Sequence, residues 1–144
     1  MDVSSTAANE VQVALSPDGK RLAFASNESG QHEVYVMEFP SLRGRVKVSN
    51  GGGLEPRWSR DSRELFFISG GALKSAIISP SPISVGAIRT LFSVQGFVRA
   101  RNRAEYDVHA DGQRFLMIKE APSAVVAPAV LIQGWFDMLR ARVP

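Results

Sequence analysis

Leu15-Ser16-Pro17-Asp18-Gly19-Lys20-Arg21-Leu22-Ala23-Phe24-Ala25-Ser26 reads as strand, tight turn, strand. Pro17 presets φ for the first corner of the turn, Asp18 can hydrogen-bond its own backbone, and Gly19 takes positive φ without steric cost. After the turn Leu22 and Phe24 point one way and Ala23 and Ala25 the other, the period of a strand. The shape returns in Arg57-Trp58-Ser59-Arg60-Asp61-Ser62-Arg63-Glu64-Leu65-Phe66-Phe67-Ile68-Ser69 and in Val108-His109-Ala110-Asp111-Gly112-Gln113-Arg114-Phe115-Leu116-Met117-Ile118. The turn aspartates Asp18, Asp61 and Asp111 stand 43 and 50 residues apart. A strand-rich unit at that period predicts the blades of a β-propeller.

Working outward, the spacing predicts strands over residues 11–15, 21–26, 33–39 and 45–48. They form a first blade of about 11–50 that follows a polar segment, residues 1–10. In the third strand Val34 and Val36 share one face, Tyr35 and Met37 the other. A second blade of about 54–93 repeats the order with strands over 55–58, 64–69, 72–78 and 87–92. Gly70-Gly71 forms its hairpin signal and Pro80-Ser81-Pro82 a connector. A third unit of about 104–133 has strands over 106–109, 114–119 and 129–133 and lacks a fourth. Residues 134–142 carry apolar side chains at helical spacing with arginines in the last turn, which predicts a short C-terminal helix stopped by Pro144. The fold class expected is all-β, a partial β-propeller of about two and a half to three four-stranded antiparallel blades plus that helix.

Composition agrees with a folded domain: 44% of the 144 residues are hydrophobic and 22% charged, and cysteine is absent, which removes disulfides and thiolate chemistry. No apolar run is long enough to span a bilayer, so no membrane insertion by this chain is expected. Residues 1–10 lack the apolar core of a signal peptide. The net charge is +3 and the arginines are scattered. A nucleic-acid footprint needs clustering. The one cluster, Arg99, Arg101 and Arg103, is a weak basic patch without an aromatic ladder and is assigned to a solvated strand face or loop.

Ser16-Pro17-Asp18-Gly19-Lys20-Arg21-Leu22-Ala23-Phe24 followed by Glu33-Val34-Tyr35-Val36 resembles the WD40-like (PD40) repeat of TolB-type propellers. Further stretches resemble the C-terminal propeller end of bacterial serine/threonine protein kinases. These are residues 25–30, Phe39-Pro40, residues 52–59, Glu64-Leu65-Phe66-Phe67, Tyr106-Asp107-Val108 and the closing residues 135–144. The resemblance covers nearly the whole chain from Val11. Arg60 and Ser62 replace the turn Pro and Gly in the second repeat, and His109 and Ala110 replace Ser and Pro in the third. The resemblance implies a propeller of about six blades, of which this chain supplies fewer than three. It also implies a periplasmic or extracytoplasmic full-length parent, although this chain carries no signal. No glycine-rich phosphate loop precedes a strand, and the sequence contains no His-Arg-Asp loop or Asp-Phe-Gly. The kinase chemistry therefore transfers to no residue here.

The sequence offers no catalytic constellation. Asp18, Asp61 and Asp111, with Gly19 and Gly112, are assigned to their turns. His32 is expected in solvent and His109 in a structural turn position; their separation gives no zinc spacing. Gly51-Gly52-Gly53 precedes a strand rather than a helix, so it suits a connecting loop better than a phosphate. Trp58 and Trp135 suit core packing. No Gly-x-Ser-x-Gly elbow occurs.

The expected role is a non-enzymatic, cofactor-free, metal-free propeller module for protein–protein or ligand interaction, as the C-terminal part of a larger propeller protein; a weaker reading is small-ligand or nucleic-acid binding through Arg99, Arg101 and Arg103. The alternative is a regulatory propeller fragment of a kinase or peptidase whose catalytic domain is not in this sequence. The first blade's outer face has no preceding blade to cover it. The sequence therefore predicts either self-association through open blade faces or a marginal fold.

Overall fold

The structure is a computed structural model, and it describes residues 8–99, 103–120 and 129–132. The first sheet holds β1 (Glu10–Leu15), β2 (Arg21–Ser26), β3 (Glu33–Glu38) and β4 (Val46–Lys47). The second holds β5 (Leu54–Trp58), β6 (Glu64–Ser69), β7 (Ala72–Pro80) and β8 (Ile83–Ser93). The third holds β9 (Tyr106–Val108), β10 (Phe115–Ile118) and β11 (Ala129–Ile132). Each sheet is an antiparallel meander in chain order, and the described residues contain no helix. The expected C-terminal helix and most of the polar N-terminal segment lie outside the described residues.

The last strand of the second sheet does not begin at Ala87 but at Ile83, and Pro80 pairs with Ile83 in register. Pro80-Ser81-Pro82 is the tip of a long hairpin rather than part of a longer connector reaching to Ala87. Prolines suit that place because a hairpin tip asks for no ladder N–H and β8 is an edge strand.

The sheets stack. Ala23, Val34, Val36 and Val48 of the first sheet meet Trp58, Leu65, Phe67 and Ala76 of the second. Phe66, Ile68, Leu73 and Leu91 of the second meet Tyr106, Phe115 and Met117 of the third. Successive residues of β6 thus serve two cores. That is why Leu65-Phe66-Phe67-Ile68 is an unbroken apolar run and not an alternating one. Phe66 and Phe115 meet edge to face with ring centroids 5.2 Å apart.

The outer face of the first sheet is not wet, contrary to expectation. Leu22, Phe24, Tyr35 and Met37 are all buried there, and Phe39 and Leu42 pack against them. The Arg45 guanidinium lies 4.7 Å from the Phe24 ring centroid and 4.8 Å from that of Tyr35. It is held there by Glu28 at 2.7 Å and Glu10 at 3.3 Å. A planar cation whose charge is satisfied at its rim can cover aromatic faces that a blade would otherwise cover.

Candidate functional site

The three turns are built alike. Oδ1 of Asp18 accepts from Lys20 N at 3.1 Å, that of Asp61 from Arg63 N at 3.1 Å, and that of Asp111 from Gln113 N at 2.9 Å. Ser16 and Ser59 hydroxyls donate to Asp18 and Asp61 at 2.5 and 2.6 Å and accept the amides of Arg21 and Glu64. In the third turn His109 stands in the serine's place, and Arg114 Nε donates to Asp111 Oδ2 at 2.8 Å. Gly19 and Gly112 have φ of 71° and 67°, and Ser62 holds the same left-handed corner at 62°. Its hydroxyl has a use there: Ser62 Oγ accepts Asp18 N at 3.1 Å, tying the first turn to the second.

These contacts set the acid limit of the fold. Burial pulls the Asp18 carboxyl upward. The hydrogen bonds from Ser16 and Lys20 and the Arg21 guanidinium outweigh it, and the carboxyl falls from 3.8 to about 2. The Gln113 amide, against slight desolvation and with Arg114 and His109, brings Asp111 to about 2 as well. Both carboxyls titrate lower folded than unfolded, so the unfolded chain takes up protons first as pH falls. Their stabilisation is therefore complete above about pH 4 and is lost toward pH 2. We expect a melting midpoint that is flat from neutral pH to about 5 and falls between about 4 and 2, with a shallower fall in Asp18→Asn. A midpoint unchanged down to pH 2 would contradict this.

The first strands of the three sheets, β1, β5 and β9, lie next to one another as the inner strands and carry a second repeated device. β1 and β5 each bulge, and the bulge residues Gln12 and Glu55 have φ of 57° and 58°. Gln12 Oε1 accepts Glu55 N at 2.7 Å. The Glu55 carboxylate is 0% exposed; its Oε1 accepts Arg99 Nε at 2.6 Å and its Oε2 accepts Glu105 N at 3.0 Å. Tyr106 donates its hydroxyl to Glu55 O at 2.8 Å. Burial, followed by the neighbouring Glu55 charge, pushes that hydroxyl well above its ordinary range. Gln12, Glu55 and Glu105 each precede a turn aspartate by six residues. Each inner strand is thus tied to the next by a side chain that caps a backbone amide.

Two members of the arginine cluster have carboxylate partners. Arg99 is bound to Glu55, and Arg103 Nε to Glu105 Oε1 at 2.6 Å; both lie in irregular chain, so no strand aligns them. Arg101 lies outside the described residues. Trp58 is buried, with Nε1 donating to Ala14 O at 3.1 Å and Arg21 5.1 Å from its ring centroid. Trp135 also lies outside.

The glycine loop binds an anion, but an internal one. Glu33 is buried, and its Oε1 accepts the amides of Gly51 and Gly52 at 3.0 Å while Oε2 takes the Ser49 hydroxyl. Burial raises this carboxyl, yet Ser49 and the two amides hold it below its usual value. At Gly53 a Cβ would collide with Ser49 Oγ and lie 2.6 Å from Ser49 Cβ. His32, expected in solvent, is half-buried, and its Nε2 is enclosed without a hydrogen-bond partner. It lines a cavity of about 300 Å³ with Gly52, Gly70 and Arg99. Among the described residues no group of three or more His, Cys, Asp or Glu could hold a metal ion, and no helix is long and apolar enough to cross a membrane.

No protein-family model and no curated protein matches the sequence. Solved structures do. TolB from Acinetobacter baumannii matches with a TM-score of 0.60 and 21% identity, over 91% of this chain and 31% of that one. Oligogalacturonate lyase from Vibrio parahaemolyticus matches with a TM-score of 0.62 and 16% identity, over 85% of this chain and 34% of that one. Acylaminoacyl peptidase from Pyrococcus horikoshii matches at 0.55 and 12%, over 82% and 18%. The chain thus spans about a third or less of these proteins. The likeness shows the fold, that of TolB-like β-propellers, in proteins that include enzymes of different chemistry.

Proposed function

We propose that this chain is a non-catalytic β-propeller module that acts by binding a protein or peptide, as part of a larger propeller protein. The observation that carries this reading is the outward face of the third sheet, where Leu116 and Ile118 stand exposed. At the equivalent positions of the other sheets, Ala23, Ala25, Phe66 and Ile68 are buried. The chemistry of the carboxylates supports it. Asp18, Asp61 and Asp111 cap their own turns, Glu33 holds a loop and Glu55 an inner-strand bulge. A nucleophile or general acid has to face a substrate rather than its own backbone.

A narrower form attaches the module to a catalytic domain. The sequence stretches quoted above favour a serine/threonine kinase, and the peptidase structure a peptidase. A continuous reading frame upstream, encoding one or the other, separates them.

The test of the main reading is turnover. The purified chain, offered phosphotransfer, peptidase and esterase substrates, is expected to convert none. Activity that survives purification and disappears on a single Ser or Asp substitution would overturn the reading.

A further inference from the structure

A cavity of about 300 Å³ lies where the turn joining β2 to β3, the loop entering β5 and the turn joining β6 to β7 meet. His32, Gly52, Ser69, Gly70, Gly71 and Arg99 line it, and among the described residues no carboxylate does. A Cβ built at Gly70 or Gly71 meets no atom within 4 Å, so the space beside that turn is open.

Two donors at this cavity are not used up by the fold. Nε2 of His32 is enclosed and has no hydrogen-bond partner among the described residues. Such a nitrogen has given up water without a replacement, which folded proteins rarely allow. Arg99 binds Glu55 through Nε, and the fork of its two Nη groups makes no hydrogen bond among the described residues. Its side chain is 31% exposed. A guanidinium fork matches the two oxygens of a planar carboxylate.

The carboxylates behind these donors are engaged elsewhere. Glu33 Oε1 accepts Gln31 Nε2 and the Gly51 and Gly52 amides, each at 3.0 Å, and Oε2 accepts the Ser49 hydroxyl. Glu55 accepts Arg99 Nε and the Glu105 amide. Burial raises the Glu33 carboxyl, but Ser49 and the glycine amides hold it below its usual value, so it stays ionised. Two negative charges behind the donors penalise a dianion more than a single charge, which favours a carboxylate over a phosphate.

We propose that this cavity is a binding site for one carboxylate, which accepts from His32 Nε2 and from the Nη edge of Arg99. The carboxylate belongs either to a free small acid or to the end of a peptide chain, and the test separates the two. The site is distinct from the outward face of the third sheet, so it stands or falls apart from the binding-module reading.

The isotope-labelled full chain is titrated with acetate, triglycine, triglycinamide and inorganic phosphate at constant ionic strength and neutral pH. NMR follows the His32 ring and the Gly70 and Gly71 amides. Saturable shifts are expected with acetate and triglycine in roughly the millimolar range, with phosphate at least about tenfold weaker. Triglycinamide keeps the peptide and loses the carboxylate, and is expected to leave the signals unmoved. Triglycine binding about tenfold or more tighter than acetate makes a peptide end the source, and equal affinity makes it a free acid. His32→Phe fills the space without a donor. Read at the glycine amides, it should weaken binding roughly tenfold or more, with a melting midpoint that does not fall, because no paired group is lost. His32→Gln keeps an N–H donor and is expected to bind within about threefold of the unchanged chain. No saturable shift, an equal response to triglycinamide, tighter binding of phosphate, or binding unchanged in His32→Phe overturns the assignment. The titration of the unchanged chain decides even where a variant fails to fold, and none of these results bears on the turnover test.

Discussion

Phe66→Ala is expected to cost about 4 kcal/mol of stability, the upper range for deleting a buried aromatic ring. Phe66 is fully buried between the second and third sheets, and its ring meets Phe115 edge to face at 5.2 Å. Removing it leaves a cavity lined by Ile68, Leu73 and Phe115 that β-sheet backbones cannot collapse to fill. A domain of this size has a total margin of roughly 5–15 kcal/mol, so the variant should unfold at a much lower urea midpoint. The slope of the transition should stay unchanged. Phe66→Leu keeps most of the volume and should cost about 1.5 kcal/mol or less. A loss below about 1 kcal/mol for the alanine variant would mean that the second and third sheets do not share this core.

Glu55→Ala is the second large effect, about 3 kcal/mol. The side chain is wholly buried, and it holds the Arg99 guanidinium and the Glu105 amide at once. Its loss leaves a backbone N–H without its acceptor and frees the segment that leads from the second sheet to the third. Arg99 is 31% exposed, so water partly replaces its lost partner, and the cost stays below that of a fully buried pair. Glu55→Gln separates the two contributions. An amide oxygen can still accept Glu105 N, as Gln12 accepts Glu55 N, but it no longer carries charge against Arg99. It should cost about 1 kcal/mol.

The features that were legible in the sequence are those whose chemistry is local. Pro17-Asp18-Gly19 and Ala110-Asp111-Gly112 announce turns within four residues, and Leu22-Ala23-Phe24-Ala25 announces its two faces by alternation. Glu55 gave no such signal. Its partners Arg99 and Glu105 are 44 and 50 residues away, and it acts from a bulge where strand alternation breaks down. Nothing local in the sequence shows that two aromatic rings from β2 and β3 lie beneath Arg45. The start of β8 is not legible in the sequence because Pro80 and Pro82 resemble a break, and only the pairing of Pro80 with Ile83 shows a hairpin tip. Ser62 resembled a lost turn glycine, yet its hydroxyl makes an inter-sheet hydrogen bond that glycine cannot make.

The sheets are tied in sequence by side chains of one inner strand capping the amide of the next. Amide hydrogen exchange read by NMR at Glu55 and Glu105 tests this most directly. Both amides should be protected in the unchanged chain. Gln12→Ala should speed exchange at Glu55 by roughly tenfold or more while leaving Glu105 protected, and Glu55→Ala should speed it at Glu105. Amides that exchange at the rate of free peptide in the unchanged chain, or that respond to neither substitution, would contradict the account.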